Sequence, residues 1–276
     1  MALTVNTNTA AINALTNYQH TNRSLNSSFQ KISSGLRITK AADDAAGLAV
    51  AENLDAQTQS LRQARRNTND GVSVIQTAEG SANEVANILK RMRELLVEGS
   101  SDTLNSTERS YINTELSALT SEVDRIAQVT EFNGINLGNT DSISLDVQVG
   151  VHNTSNDRIT INFQDLQTIK GLSLGTMDIG IKASTMQHEI SVVDTAIDRL
   201  NSARAVYGST QNRLDSALNN LEVYTENMES AQSQIRDADF AHETAEMAKF
   251  QIMAQAGTSV LAQANQINQG ALRLLG

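Results

Sequence analysis

Residues 190–235 read ISVVDTAIDRLNSARAVYGSTQNRLDSALNNLEVYTENMESAQSQI. Ile190, Val193, Ile197, Leu200, Arg204, Tyr207, Gln211, Leu214, Leu218, Leu221, Thr225, Met228, Gln232 and Ile235 follow at alternating steps of three and four, which keeps one stripe on one helical face. At 1.5 Å per residue this run predicts a helix roughly 70 Å long. The chain contains no Pro to break it. A helix of that length cannot fold back on itself and has to lie along other helices.

The same spacing recurs in both directions from this run. Ala11, Leu15, Tyr18, Asn22, Leu25, Phe29, Ile32 and Leu36 form one block, with a break at Ser34–Gly35. A second block runs from Leu54 through Gln57, Leu61, Ala64, Thr68, Gly71, Ile75, Ala78, Ala82, Val85, Leu89 and Met92 to Leu96, ending at Gly99. A third helix is expected near Asn105 with Glu108 as capping partner and a face of Ile112, Leu116, Leu119, Val123 and Ile126. At Asp237–Phe240 the phase of the long block slips by one residue, and a new stripe follows: Phe240, Met247, Phe250, Ala254, Gly257, Leu261, Ala264, Ala271 and Leu275. The slip, paired with the break at 33–40, marks a domain boundary.

Region 131–185 changes period. Asn133–Gly134 is a turn signal. Ile143, Leu145, Val147, Val149 and Val151 alternate with Ser, Asp, Gln and Gly, and Ile159, Ile161 and Phe163 alternate with Thr160 and Asn162. Both predict a β-hairpin with one buried face. Gly171, Gly175 and Gly180 suggest a second hairpin. The predicted fold class is mainly α: a long antiparallel coiled-coil or bundle rod with a small β-hairpin region, its N- and C-terminal helices paired.

The two ends are nearly free of charge, although the whole chain carries a formal net charge of −10. Residues 1–22 contain no Lys, Arg, Asp or Glu, and 251–276 contain only Arg273. Each end has an apolar stripe to bury but no charged outer face, so the ends are expected to pair with each other and then with other chains. They are too polar to span a bilayer, which needs about 18 consecutive apolar residues. The acidic balance argues against a nucleic-acid partner. Cys is absent, so packing alone carries the stability. No basic-then-apolar leader precedes the first block, so export is expected without a cleaved signal peptide.

Chemistry-bearing patterns are sparse. His242–Glu243–Thr244–Ala245–Glu246 resembles a zinc-protease helix, but Glu246 stands where the second His belongs and no third ligand is evident. A solvated helix face is the commoner role of such a run. Asp43–Asp44 could pair on a metal or cap the following helix. Asn22–Arg23–Ser24 and Asn105–Ser106–Thr107 match glycosylation sequons. Lys90, Arg91 and Arg93 sit beside a core stripe, the usual place for an exposed charged face. No cofactor-binding, metal-binding or catalytic set emerges.

Several motifs together resemble bacterial flagellins. They are Val5–Asn8, Leu36–Ile38, Ala42–Leu48, Ala64–Gly71, Met92–Leu95 and Glu131–Gly134 in the N-terminal half, and Asp237–Ala241 and Gln255–Asn265 in the C-terminal half. The resemblance covers about 1–165 and 185–276. Two places depart from the family: Gln234–Ile235–Arg236 where Arg–Ile–Glu is more frequent, and Gln266 onward where a Pro often follows. The chain has no room for large outer domains, so it is similar to a near-minimal flagellin.

The resemblance implies a structural subunit, not an enzyme, that self-assembles into an extracellular filament for swimming motility. The alternative within the same structural class is a hook–filament junction protein. A protease–flagellin hybrid would need an inserted catalytic domain, for which no segment fits. The family architecture implies an inner domain of 1–40 with 240–276, a rod of 41–130 with 190–239, and a β part at 131–189. Subunit contacts are expected at Ala11, Leu15, Tyr18, Phe250, Ala254, Leu261, Ala264, Leu272 and Leu275. Implied partners are further copies of the chain, hook-associated junction and cap proteins, and an export chaperone shielding the C-terminal stripe. Gln30–Ala51 aligns with the segment that plant flagellin receptors recognise, and Arg91, Leu95 and Glu115 match positions gripped by the vertebrate flagellin-sensing Toll-like receptor.

Overall fold

The computed structural model describes residues 7–138, 144–167, 171–174 and 182–275, the last nine as backbone. Ile143, Gly175 and Gly180 lie outside the described residues, as do the side chains of Leu272 and Leu275. Among the described residues, five α-helices and two short antiparallel strand pairs follow in order: α1 (Thr9–Ser34), α2 (Ala45–Gly99), α3 (Ser106–Val129), β1 (Glu131–Phe132), β2 (Ile135–Asn136), β3 (Ser144–Gln148), β4 (Arg158–Asn162), α4 (Ala183–Arg236) and α5 (Phe240–Leu275). The chain divides into two compact units, Met1–Thr58 with Glu226–Gly276, and Gln59–Thr225.

In the second unit the core is continuous along α2, α3 and α4. Ile75, Ala82, Val85, Leu89, Met92 and Leu96 of α2 are buried with Leu116 and Val123 of α3 and with Val193, Leu200, Tyr207 and Leu214 of α4. The α2 stripe from Leu61 to Leu96 matches its heptad spacing residue for residue. Its buried Thr68 satisfies its own hydroxyl by donating to the Ala64 carbonyl at 2.8 Å. α3 starts with the expected capping box: Asn105 Oδ1 accepts from the Thr107 and Glu108 amides, and Glu108 Oε2 accepts from the Asn105 amide, each at 2.9 Å.

Between α3 and α4 the period-2 segments form β structure as expected. β1 and β2 are joined by Asn133 and Gly134 at φ 50° and 77°, the left-handed pair of a type I′ turn. β3 pairs antiparallel with β4, Val147 opposite Ile159 and Leu145 opposite Ile161. Ile159, Ile161 and Phe163 turn inward. The Phe163 ring lies 5.8 Å from that of buried Tyr207, whose hydroxyl accepts from the Gln164 amide at 3.4 Å. Burial pushes the Tyr207 phenol up from its ordinary value. No strand forms at 171–174.

Two expectations need correction. α4 begins at Ala183, not Ile190. Its inward line is also offset in part: Val193, Ala196, Leu200, Ala203, Tyr207, Thr210 and Leu214 are buried, so Ala196, Ala203 and Thr210 replace Ile197, Arg204 and Gln211 at alternate positions. α1 shows the same offset. Its inner line is Ala11, Ala14, Tyr18, Thr21, Leu25, Ser28 and Ile32, while Leu15 and Phe29 are exposed and Asn22 is half-buried. Small side chains occupy the closest approach between helices, and bulkier neighbours are displaced to the flanks.

Candidate assembly interface

In the first unit α1 and α5 lie antiparallel. Asn8 sets one end: its Oδ1 caps α1 by accepting from the Ala11 amide, and its Nδ2 donates to the Ala264 carbonyl, both at 3.0 Å. Midway, Tyr18 packs on Gly257, where an added Cβ would stand 3.2 Å from Tyr18 Cδ2. At the other end Ser28 and Lys31 face Glu243, Glu246 and Phe250 across a groove. The chain breaks that close this unit hold one another. Leu36 bridges Asp237, the Arg37 amide donates to the Arg236 carbonyl at 2.7 Å, and the Ala238 amide donates to the Gly35 carbonyl at 2.9 Å. Thus the break at 33–40 and the slip at 237–240, paired in the sequence as one boundary, are joined by one hydrogen-bonded clasp. Arg236, at the departure from the family pattern, pairs with Glu52 at 3.1 Å.

The expected contact residues divide into two groups. Ala11, Tyr18, Phe250, Ala254 and Leu261 are half-buried and Ala264 is buried, all along the α1/α5 seam. Leu15 is 46 % exposed. The structure adds exposed apolar residues that no stripe singled out: Ile12, Ile252, Met253 and Val260. Their signal in the sequence is the absence of charged neighbours rather than any periodicity. One flank of the pair carries a largely apolar groove of about 300 Å³ lined by Ala14, Asn17, Tyr18, Thr21, Met253, Ala256, Gly257 and Val260.

Several carboxylates are committed to caps and pairs. Asp43 Oδ2 accepts from the Thr39 hydroxyl at 2.8 Å and from the Thr39 and Lys40 amides at 3.1 and 3.2 Å. These bonds, led by the Thr39 hydroxyl, hold its carboxyl below the usual carboxylate range. Asp44 Oδ1 accepts from the Gly47 amide at 2.9 Å and caps α2. The His242 amide donates to Asp239 Oδ1 at 3.2 Å, and Glu246 pairs with Lys249 at 3.0 Å. Among the described residues no three His, Cys, Asp or Glu side chains group as metal ligands, and no helix is long and apolar enough to cross a membrane.

Two residues of the basic run on α2, Arg91 and Arg93, pair with their neighbours. Arg91 Nη2 lies 2.9 Å from Glu115 of α3, with Glu94 at 3.4 Å, and Arg93 Nε lies 2.7 Å from Asp194 of α4. Glu115, ahead of Glu94, holds the Arg91 guanidinium more firmly protonated than usual. Arg91 and Glu115 therefore form one exposed surface pair. Leu95 is 2 % exposed and offers its side chain to the core.

A family model described as the bacterial flagellin N-terminal helical region matches residues 5–140, and the bacterial flagellin C-terminal helical region matches residues 190–275. The chain is 37 % identical to flagellin FlaB2 of Treponema pallidum (strain Nichols) and 38 % identical to flagellin of Bacillus subtilis (strain 168). Each match covers 98 % of this chain and 99 % of the relative. It is 36 % identical, with the same coverage, to the flagellar filament 33 kDa core protein of Treponema phagedenis. Crystalline Bacillus cereus flagellin matches with a TM-score of 0.50 and 34 % identity over 56 % of this chain and 88 % of that one. A putative flagellar hook-associated protein from Vibrio parahaemolyticus matches with a TM-score of 0.60 over 71 % of this chain and 100 % of that one, but at 15 % identity, which speaks to fold alone.

Proposed function

This chain belongs to the bacterial flagellin family, and on that premise we propose how it serves as the structural subunit of a flagellar filament. The observation that carries the mechanism is the incomplete burial of the α1/α5 pair. Ile12, Leu15, Phe29, Ile252, Met253 and Val260 stay exposed on helices with few charges around them. A soluble surface seldom leaves so much apolar side chain uncovered without a partner. Further copies of the chain are the partner: identical heterologous contacts that do not close into a ring propagate a helical polymer. The expected contacts at Ala11, Leu15, Tyr18, Phe250, Ala254, Leu261, Ala264, Leu272 and Leu275 stand as this proposed interface. Residues 1–40 with 240–276 form the inner domain of the assembled subunit, 41–130 with 190–239 its rod, and 131–189 the β part.

The function is mechanical, and no catalytic role or cofactor is assigned. The subunit reaches the outside through the flagellar export route without a cleaved signal peptide. An export chaperone covers its C-terminal stripe on the way. Junction and cap proteins bound the filament, while nucleic acid and membrane are not partners. Arg91 and Glu115, with the segment Gln30–Ala51, are the proposed surfaces for Toll-like and plant receptors; Leu95, expected beside them, is buried and supports that surface from the core. The junction-protein alternative shares the helical fold but draws no support from the full-length relatives.

Removing residues 257–276 tests the central claim. The truncated chain is expected to stay monomeric while the unit 59–225 keeps its thermal transition. Filaments formed by the truncated chain would sink the mechanism.

A further inference from the structure

The α1/α5 pair carries its apolar surplus unevenly. The line of α1 facing α5 passes through Ala14, Tyr18 and Thr21. At about 100° per residue, Asn17 lies to one side of that line, while Leu15 and Ile12 lie to the other. Asn17 lines the apolar groove; Leu15 and Ile12 do not. On α5, Met253, Ala256 and Val260 complete the groove on that same flank. The pair thus has a concave apolar flank and an opposite flank where two large aliphatic side chains project from α1, Leu15 sideways and Ile12 mostly away from α5, 46 % and 53 % exposed.

We infer that these two flanks are donor and acceptor of one lateral contact, in which Ile12 and Leu15 of one subunit seat in the groove between Tyr18, Met253, Ala256 and Val260 of the next. The inference rests on the filament reading and specifies its interface. Three observations commit the groove to a second copy. The groove lining contains no charged residue, and neither does the chain from Met1 to Asn22 that carries the ridge, so the two desolvate without leaving a buried charge. The neighbouring groove along the same pair is lined by Lys31, His242, Glu243 and Glu246 and suits no aliphatic side chain, which sets the register at the apolar end. Donor and acceptor sit on opposite flanks of one element, so each subunit uses both at once and the contact is head-to-tail, the kind that extends rather than closes.

The chain has no cysteine, so cross-linking can be read without background. With Tyr18 packed on Gly257, Met253 stands two helical turns along the pair from Leu15 and on the other flank, beyond reach of a disulfide within one subunit. Filaments polymerised from the Leu15→Cys/Met253→Cys double variant should give, on oxidation and denaturing electrophoresis, a ladder of dimers, trimers and longer species. Each single variant should stay monomeric, and an equal mixture of the two singles should stop at dimers. If the double variant assembles poorly, the two singles co-polymerised into filaments of the unsubstituted chain should still give dimers only when both are present. Sedimentable filaments without cross-links in either format would overturn this contact and leave the filament reading standing. Dimers from Leu15→Cys alone would also overturn it, by showing a symmetric contact. Failure of the unsubstituted chain to form filaments would remove the filament reading and this inference together.

Discussion

Leu15→Ala should separate folding from assembly. In the single chain Leu15 is 46 % exposed and lies off the α1/α5 seam, so truncation removes little that the monomer uses. Monomer stability should change by no more than about 0.5 kcal/mol, as for other surface substitutions. In the filament the neighbouring subunit covers the exposed part. Burying a whole leucine side chain contributes about 1.5–3 kcal/mol. Covering the 46 % still exposed therefore contributes about 0.7–1.4 kcal/mol per subunit. With a factor of ten for each 1.4 kcal/mol, the critical concentration for polymerisation should rise about three- to tenfold. Leu89→Ala is the opposite control: its side chain is fully enclosed by α2, α3 and α4, and truncation should cost the monomer about 2–5 kcal/mol. Denaturant unfolding of monomers and sedimentation of seeded polymerisation read the two quantities independently. An unchanged critical concentration for Leu15→Ala, or a monomer loss comparable to that of Leu89→Ala, would refute the reasoning.

Hydrogen exchange should show amides of α1 and α5 opening far more readily than those of 59–225 in the monomer and protected in the filament, because the terminal pair leaves much of its apolar face uncovered until neighbours cover it; monomer protection equal to that of 59–225 would show the terminal pair to be a stable domain by itself. In receptor reporter cells, monomer carrying Arg91→Ala or Leu95→Ala should evoke a weaker response. The causes differ, since Arg91 loses its pair with Glu115, whereas Leu95 vacates the core and should also lower stability by about 2–5 kcal/mol; equal dose responses for all three proteins would rule the surface out. The Asp43 carboxyl is depressed in the folded chain, so its contribution is present above an unfolded value of about 3.9 and is lost as pH falls through the lower folded value. Thermal melts of Asp43→Ala and the parent should therefore differ at neutral pH and converge as pH falls below the unfolded carboxylate value; a constant gap would show that the 39–43 turn does not depend on the charge.

Much of this protein is set by local chemistry that acts before any tertiary contact. The absence of Pro, the Asn105–Glu108 capping box, the Asn133–Gly134 turn and the alternation of 159–163 each determine a backbone state within a few residues, and each appears where the sequence places it. The α2 stripe is equally legible because its inward positions from Leu61 to Leu96 are, Thr68 apart, its apolar or glycine ones. The clasp between 35–38 and 235–238 is legible as two interruptions of period that pair as one boundary; only the structure shows the backbone bonds that join them.

What only the tertiary structure decides is which of two adjacent side chains meets the neighbouring helix. Hydrophobicity ranks Leu15 above Ala14, Phe29 above Ser28 and Ile197 above Ala196, yet the smaller member of each pair takes the inner line. Interhelix distance determines this choice: where two helices approach closely, as Tyr18 does against Gly257, only small residues fit between them, and buried hydroxyls such as that of Thr21 bond back to their own helix at 2.9 Å. That distance arises from the pairing of segments far apart in the chain, 256 residues at the Asn8–Ala264 bond and 101 at the Arg93–Asp194 pair, so it cannot be read from either one. It turns Leu15 outward and places Leu95 in the core, separating the residues that bind the next subunit from those that hold this one together.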